Sequence, residues 1–318
     1  MAASLSDNPH EFLKIVHELW TNEKGENIVG NGKVYAGYPL KDVLNSLKIN
    51  PDFTYSQPQE TIKLLYVHRK LGDVDFYWVN NRQNRIIDVD AAFRVDGRIA
   101  EIWHPETGKT ELASYAIKDG ITRVPLHLEP NDAVFVVFRN KAVQTSLTIN
   151  KPVESQLAVI SGPWTVGFQA ERGAPDKALF ETLIPWNDNT DMGIKYFSGT
   201  GTYSKTLQAP AEWFNQGKQL WLDLGSVKNL AEILVNGKSL GIVWKTPFRI
   251  NVTEALKAGE NKIEIKVTNL WVNRLIGDEQ PGVKKKITYT TMPFYRAASP
   301  LLPSGLLGPV TIQGVASN

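Results

Sequence analysis

The fold is decided by residues 230–243, LAEILVNGKSLGIV. Two short apolar segments flank Asn236-Gly237, a dipeptide suited to a tight hairpin because both turn positions require positive φ angles. Strand candidates separated by turn residues continue on both sides, at 164–168, 194–207, 219–224, 248–252 and 262–268. Short strands arranged in this way predict an antiparallel β-sandwich over residues 156–318.

A second series of alternating segments lies upstream. Seven strand candidates, separated by turns such as Asp96-Gly97 and Asp119-Gly120, are 62–67, 75–80, 86–95, 99–103, 112–117, 122–128 and 133–138. This spacing predicts a smaller antiparallel sandwich over residues 58–140. The polar segment 141–155, which contains Pro152, is interpreted as a linker.

The first 57 residues have a different pattern. Asn8 is placed as the N-cap of a helix with Pro9 in its first turn, and apolar residues then recur at helical spacing up to Trp20. A second amphipathic helix is predicted at 40–47. This is too little chain for a complete α/β domain, so residues 1–57 are interpreted as the tail of one. The predicted fold class is mainly β, with two antiparallel β-sandwiches preceded by a short α/β remnant.

Composition excludes several classes of function. The 318 residues carry a net charge of +2 without a basic stripe, so no nucleic-acid partner is expected. No apolar run approaches the ~18–20 residues that span a bilayer, and no membrane partner is expected. The absence of cysteine removes disulfides and thiol nucleophiles. Residues 1–9 lack the basic and apolar regions of a signal peptide, and the sequence alone leaves the compartment unknown.

No catalytic motif is present. Phosphate-binding loops, the G-x-S-x-G elbow and the H-E-x-x-H helix are all missing, and the five histidines are scattered. Glycosidases place two carboxylates about 5–9.5 Å apart across a cleft. The nearest pairs, Asp73/Asp75 and Asp88/Asp90, would each share one face of a strand, so both are interpreted as solvated sheet surface and no catalytic residue is predicted.

The residues that follow the predicted strand 262–268 have the chemistry of sugar recognition. An indole offers a flat apolar face, while amides, a guanidinium and a carboxylate can bind vicinal hydroxyls. Two alternatives remain open, since the same side chains could instead tie a loop to the sandwich, and Trp244 could be a core residue. The candidate carbohydrate-binding residues are Trp244, Asn269, Trp271, Asn273, Arg274 and Asp278.

A weaker candidate concerns metal binding. The loop 186–191, WNDNTD, is rich in oxygen ligands, and Asp188 and Asp191 could hold a structural Ca²⁺. The EF-hand spacing is absent, which favours a plain loop. No other cofactor is expected.

Several motifs together resemble a known family. Residues 196–203, YFSGTGTY, are similar to a strand of the sugar-binding jelly-roll domains of glycoside hydrolase family 2. Residues 269–278, NLWVNRLIGD, and 304–310, SGLLGPV, are similar to the C-terminal region of glycoside hydrolase family 106, the α-L-rhamnosidase-like enzymes. Further matching stretches, in order, are 222–227, 235–241, 244–248 and 259–261.

The resemblance implies a galactose-binding-like jelly roll over residues 156–318 and an amidotransferase-like tail over residues 1–57. In that family the catalytic carboxylates and a catalytic calcium belong to an upstream (β/α)₈ barrel. This chain lacks such a pattern, so no catalytic residue carries over and the chain is expected to be a fragment or a truncation.

The implied function is a non-catalytic accessory part of an enzyme acting on plant or bacterial polysaccharide. Its expected partners are carbohydrate and the missing upstream catalytic domain, and the family is typically periplasmic or secreted. Two alternatives remain: a purely structural scaffold, and a small hydrolase active by itself, which the absent barrel disfavours.

Overall fold

The computed structural model describes residues 8–20, 25–56, 62–214 and 218–316. The chain divides into two compact units, an N-terminal unit of residues 1–148 and a C-terminal unit of residues 149–318. Strands dominate both, so the prediction of a mainly β fold is confirmed. The predicted domain boundary between residues 57 and 58 lies outside the described residues. So do residues 1–7 of the segment 1–9, which was compared with a signal peptide. Among the described residues, no helix has the length and apolar character needed to span a membrane.

The N-terminal unit begins with the predicted helices. Helix α1 (Pro9–Leu19) is capped by Asn8, whose side chain accepts hydrogen bonds from the backbone of residues 10 and 11. Helix α2 spans Leu40–Ser46. Between the helices, β1 (Gly25–Val29) and β2 (Gly32–Ala36) form an antiparallel hairpin.

Two antiparallel five-stranded sheets form the rest of this unit, in the orders β12-β9-β10-β6-β3 and β4-β5-β11-β7-β8. The alternation in the sequence sets which side chains enter the core: Val124, Leu126 and Leu128 are buried, and the residues between them are exposed. The strands are β3 (Phe53–Tyr55), β4 (Leu64–Leu71), β5 (Val74–Asn81), β6 (Ile87–Phe93), β7 (Glu101–His104), β8 (Lys109–Leu112), β9 (Tyr115–Lys118), β10 (Ile121–Leu128), β11 (Ala133–Phe138) and β12 (Ser146–Leu147).

Two sequence predictions need correction here. The predicted strand 112–117 is two strands, because the chain leaves one sheet after β8 and enters the other at β9. The predicted linker 141–155 contains β12 and the start of β13 (Val153–Val159). Both are edge strands, where polar side chains face solvent, which explains why the segment reads as a linker.

The C-terminal unit has a six-stranded sheet, β15-β14-β16-β22-β19-β20, a four-stranded sheet, β13-β24-β17-β21, and the pair β18-β23. All of these pairings between strands are antiparallel. The remaining strands are β14 (Trp164–Phe168), β15 (Lys177–Phe180), β16 (Thr200–Ala209), β17 (Lys218–Asp223), β18 (Ser226–Lys228), β19 (Leu230–Val235), β20 (Lys238–Val243), β21 (Arg249–Asn251), β22 (Gly259–Thr268), β23 (Gly305–Gly308) and β24 (Thr311–Ala316). The helices are α3 (Met192–Lys195) and α4 (Val272–Asp278), with 3-10 turns at Trp186–Asp188 and Ala211–Phe214.

Local turn chemistry explains both a success and a failure of prediction in this unit. The hairpin β19–β20 turns at Asn236 and Gly237, whose φ angles of 53° and 82° are positive as predicted. The predicted strand 194–207 begins only at residue 200. Ile194 is helical because the side chain of Asp191 accepts a hydrogen bond from its backbone N–H and caps α3.

The core of the C-terminal unit contains several of the aromatic residues. Trp164, Trp186, Phe197 and Tyr203 are fully buried. The Trp186 indole N–H donates a hydrogen bond of 2.6 Å to the Tyr203 hydroxyl oxygen, which satisfies a polar group inside the sandwich.

Candidate carbohydrate-binding surface

Two exposed tryptophans lie at the same end of the six-stranded sheet. Strand β22 ends at Thr268, which pairs with Leu230 at the start of β19, and the neighbouring strand β20 ends beside that position. Trp271 follows β22 and Trp244 follows β20 directly. The antiparallel register therefore brings two residues that are distant in sequence to one edge of the fold.

Both indoles are available at the surface. Trp244 is 59% exposed and Trp271 is 45% exposed, so neither is a core residue. The guanidinium carbon of Arg172 lies 4.6 Å from the centroid of the Trp271 ring, a cation–π arrangement. Arg172 belongs to the connection between β14 and β15, and no sequence motif marked it.

The two candidate amides, by contrast, are committed to the backbone. Asn269 accepts a hydrogen bond of 2.9 Å from Gly199 N and donates one of 2.9 Å to Phe197 O. Asn273 is 2% exposed, donates to Leu302 O at 2.8 Å and accepts from Leu302 N at 2.9 Å. These amides hold separate segments of the chain together.

Arg274 and Asp278 form a buried ion pair one helical turn apart. Their exposures are 7% and 3%, and Arg274 Nε lies 3.1 Å from Asp278 Oδ1. The other carboxylate oxygen accepts from Ile287 N at 3.0 Å and from the backbone and hydroxyl of Thr288 at 2.7 and 2.6 Å. Burial alone would raise the pKa of Asp278, but these hydrogen bonds and the guanidinium charge outweigh it and hold the pKa below its ordinary value of 3.8.

The predicted loop after β22 is partly a helix, α4. Gly277 lets the helix approach the body of the unit, since a Cβ there would lie 2.5 Å from both Arg274 Nη2 and Tyr196 Cβ. Of the six candidates, the structure presents the two tryptophans and buries Asn273, Arg274 and Asp278, while Asn269 is partly buried. The four polar residues bind other parts of the chain, and the two indoles are exposed at the surface.

The weak calcium candidates each accept a hydrogen bond from a nearby residue. Asp188 Oδ1 accepts a hydrogen bond of 2.8 Å from Asn187 Nδ2, and Asp191 is used as the cap of α3. Over residues 8–20, 25–56, 62–214 and 218–316, no three His, Asp or Glu side chains converge as a metal site would require.

The carboxylate pairs of the N-terminal unit are surface or structural groups. Asp88 pairs with His127 at 2.7 Å and Asp90 with Arg123 at 2.9 Å on an exposed face, as interpreted from the sequence. The pair Asp73/Asp75 differs from the interpretation. Asp73 lies in a turn, and Asp75 is 6% exposed because it enters the sheet interior and binds a histidine at residue 68.

Comparisons with known proteins agree with this architecture. Residues 1–117 match the family model of alpha-L-rhamnosidase, and residues 185–299 match the galactose-binding domain-like model of glycosyl hydrolase 2. The resemblance to the α-L-rhamnosidase family is confirmed. The rhamnosidase-like chain superposes on the structure of a rhamnosidase from Novosphingobium sp. PP1Y with a TM-score of 0.88 and 43% identity, over 96% of this chain and 29% of that one.

A second relative comes from Formosa agariphila, a protein named as a candidate beta-glucuronidase. It is 40% identical over 199 residues, which cover 55% of the rhamnosidase-like chain and 17% of that protein. The rhamnosidase-like chain thus spans less than a third of the length of either relative.

Proposed function

We propose that the C-terminal unit is a non-catalytic, carbohydrate-binding accessory module of an α-L-rhamnosidase-like glycoside hydrolase. The observation that carries the proposal is the exposure of Trp244 and Trp271 at one end of the sheet, whereas Trp164 and Trp186 fill the core. Exposed indole faces stack on the apolar faces of sugar rings. The match of residues 185–299 to a galactose-binding domain-like family supports the same function.

The environment of the carboxylates supports the accessory role. Of the carboxylates considered from the sequence, Asp75 and Asp88 bind histidine and Asp90 binds arginine. The proposed partners are carbohydrate and the catalytic domain of a longer parent enzyme that degrades plant or bacterial polysaccharide. The names of the two relatives include a rhamnosidase and a candidate glucuronidase, so a glycan array that tests the proposal should carry rhamnose-containing and glucuronate-containing glycans.

A glycan array tests this function directly. The purified 318-residue chain should bind a subset of immobilised plant and bacterial glycans, with Kd near millimolar as expected for a shallow site. The Trp271→Ala variant is applied in parallel. Binding to no glycan at a concentration that detects millimolar affinity would overturn the proposal.

A second candidate function, structural contact with another domain, is favoured by one surface segment. Tyr289, Met292 and Phe294 are 89%, 81% and 84% exposed within six residues. Large apolar side chains this exposed are typical of a surface covered by a partner. If the segment serves only as a scaffold, replacing Tyr289, Met292 and Phe294 together with serine would lower the thermal midpoint of a parent enzyme that contains its catalytic domain. The 318-residue chain would then bind no glycan.

A further inference from the structure

Arg172 and Arg274 lack hydrogen-bond acceptors for their terminal amino groups among the residues that the structure describes. Arg172 makes the cation–π contact with the Trp271 indole, and none of the described residues accepts a hydrogen bond from its guanidinium. Arg274 uses its backbone N–H and, through Nε, the contact with Asp278. Its two Nη groups likewise have no acceptor in the part of the chain that the structure describes.

The space around the Arg274 guanidinium is made by glycine. A Cβ on Gly173 would lie 3.0 Å from Arg274 Nη1, and Gly173 directly follows Arg172 in the chain. Arg274 Nη1 therefore lies beside the residue that follows Arg172, and the Arg172 guanidinium itself lies over the exposed indole. Arg274 is 7% exposed and its buried Nε has no hydrogen-bond partner among the described residues. Unpaired buried donors are costly, and an acceptor supplied by a ligand would lower that cost.

Most charged side chains near Arg172 and Arg274 are either positive or paired with an opposite charge. Asp278 forms the ion pair with Arg274 and accepts hydrogen bonds through Oδ2, and Glu279 pairs with Lys286. Lys284 and Lys285 are exposed and shortly precede Ile287, whose Cδ1 lies 3.0 Å from the position of a Cβ on Gly173. The nearest uncommitted carboxylate by sequence is the exposed Glu171.

We propose that the surface formed by Trp271, Arg172 and Arg274 selects saccharides that carry an oxyanion, either a uronate carboxylate or a sulfate ester. The indole takes the sugar ring, and the two guanidinium groups take the oxyanion, whose planar or tetrahedral oxygens match the paired N–H donors of arginine. This inference rests on the proposed carbohydrate-binding function and adds the class of ligand.

The test compares matched ligands that differ only in charge. Isothermal titration measures binding of the 318-residue chain to oligogalacturonate and its methyl ester, and to a sulfated galactan oligosaccharide and its desulfated form. The charged member of at least one pair should bind about tenfold more tightly, a difference of ~1.4 kcal/mol, and should weaken as salt is raised. The preferred pair identifies the oxyanion as carboxylate or sulfate.

Variants test whether the preference for charged ligands depends on the surface formed by Trp271, Arg172 and Arg274. Arg172→Gln should abolish the preference for the charged ligand and leave its thermal midpoint close to that of the wild type. Arg249→Gln is the matched control, because Arg249 also lies over a tryptophan, with its guanidinium carbon 5.2 Å from the Trp221 ring. Arg274→Lys, with its thermal midpoint measured in parallel, should reduce the preference as well.

Each outcome decides between the two levels of the proposal. Equal binding of charged and neutral ligands overturns the oxyanion inference and leaves the carbohydrate function standing. A preference that survives Arg172→Gln overturns the assignment to this surface. Failure to bind any glycan overturns both.

Discussion

Replacing Asn273 with alanine should destabilise the C-terminal unit strongly, although Asn273 lies in a motif with the chemistry of sugar binding. The side chain is 2% exposed and makes hydrogen bonds to Leu302 O at 2.8 Å, Leu302 N at 2.9 Å and Ser304 Oγ at 3.3 Å. Each contributes about 1 kcal/mol net, and alanine would leave the Leu302 backbone groups unpaired. We therefore expect a loss of about 3 kcal/mol in the free energy of unfolding.

The assay is thermal and urea denaturation followed by tryptophan fluorescence, which reports mainly on this unit because six of the nine tryptophans lie at or beyond Trp164. For a unit of this size, 3 kcal/mol corresponds to about 6–12 °C in the midpoint. Trp271→Ala, two residues away but half-exposed, is the control and should cost no more than about 1 kcal/mol. A fall below 2 °C for Asn273→Ala would refute the assignment of Asn273 as a structural anchor.

Two further predictions concern chemistry and pH. The purified chain should not hydrolyse aryl α-L-rhamnosides above background. Turnover that survives repurification and is lost in Asp88→Asn or Asp278→Asn would contradict the accessory role. Since the folded-state pKa of Asp278 is lowered, its ionised form stabilises the unit above about pH 4, and this contribution is lost as pH falls through the lowered value. The stability difference between wild type and Asp278→Asn in urea titrations should therefore shrink between pH 5 and pH 2.5, and a constant difference would count against the ionised pair.

Features controlled by neighbouring residues could be predicted from the sequence. The Asn8 cap of α1 and the turn at Asn236-Gly237 depend on local backbone preferences, and both appear as predicted. The division of the segment 112–117 between two sheets could not be predicted, because it depends on which strands the chain meets in three dimensions. The helix α4 was missed for the same reason, since it is held by contacts to Ser198, Leu302 and Thr288.

The candidate carbohydrate-binding surface could likewise be predicted only in part from the sequence. Residue type identified Trp244 and Trp271 as possible platforms, but only the fold shows that they are exposed and that Asn273, Arg274 and Asp278 are not. Arg172 lies 99 positions before Trp271 and reaches the indole through the β14–β15 connection. No spacing in the sequence carries that information.

The central claim, that carbohydrate binds at the exposed indole of Trp271, is tested most directly by titrating the best glycan from the array into three proteins. These are the wild type, Trp271→Ala and the matched control Trp221→Ala, in which the lost indole is also partly exposed beneath an arginine. The account predicts that Trp271→Ala loses binding with a nearly unchanged thermal midpoint, while Trp221→Ala binds as the wild type does. Unchanged affinity in Trp271→Ala would contradict the claim, and so would lost binding accompanied by the large midpoint fall expected for a buried aromatic worth ~3–5 kcal/mol.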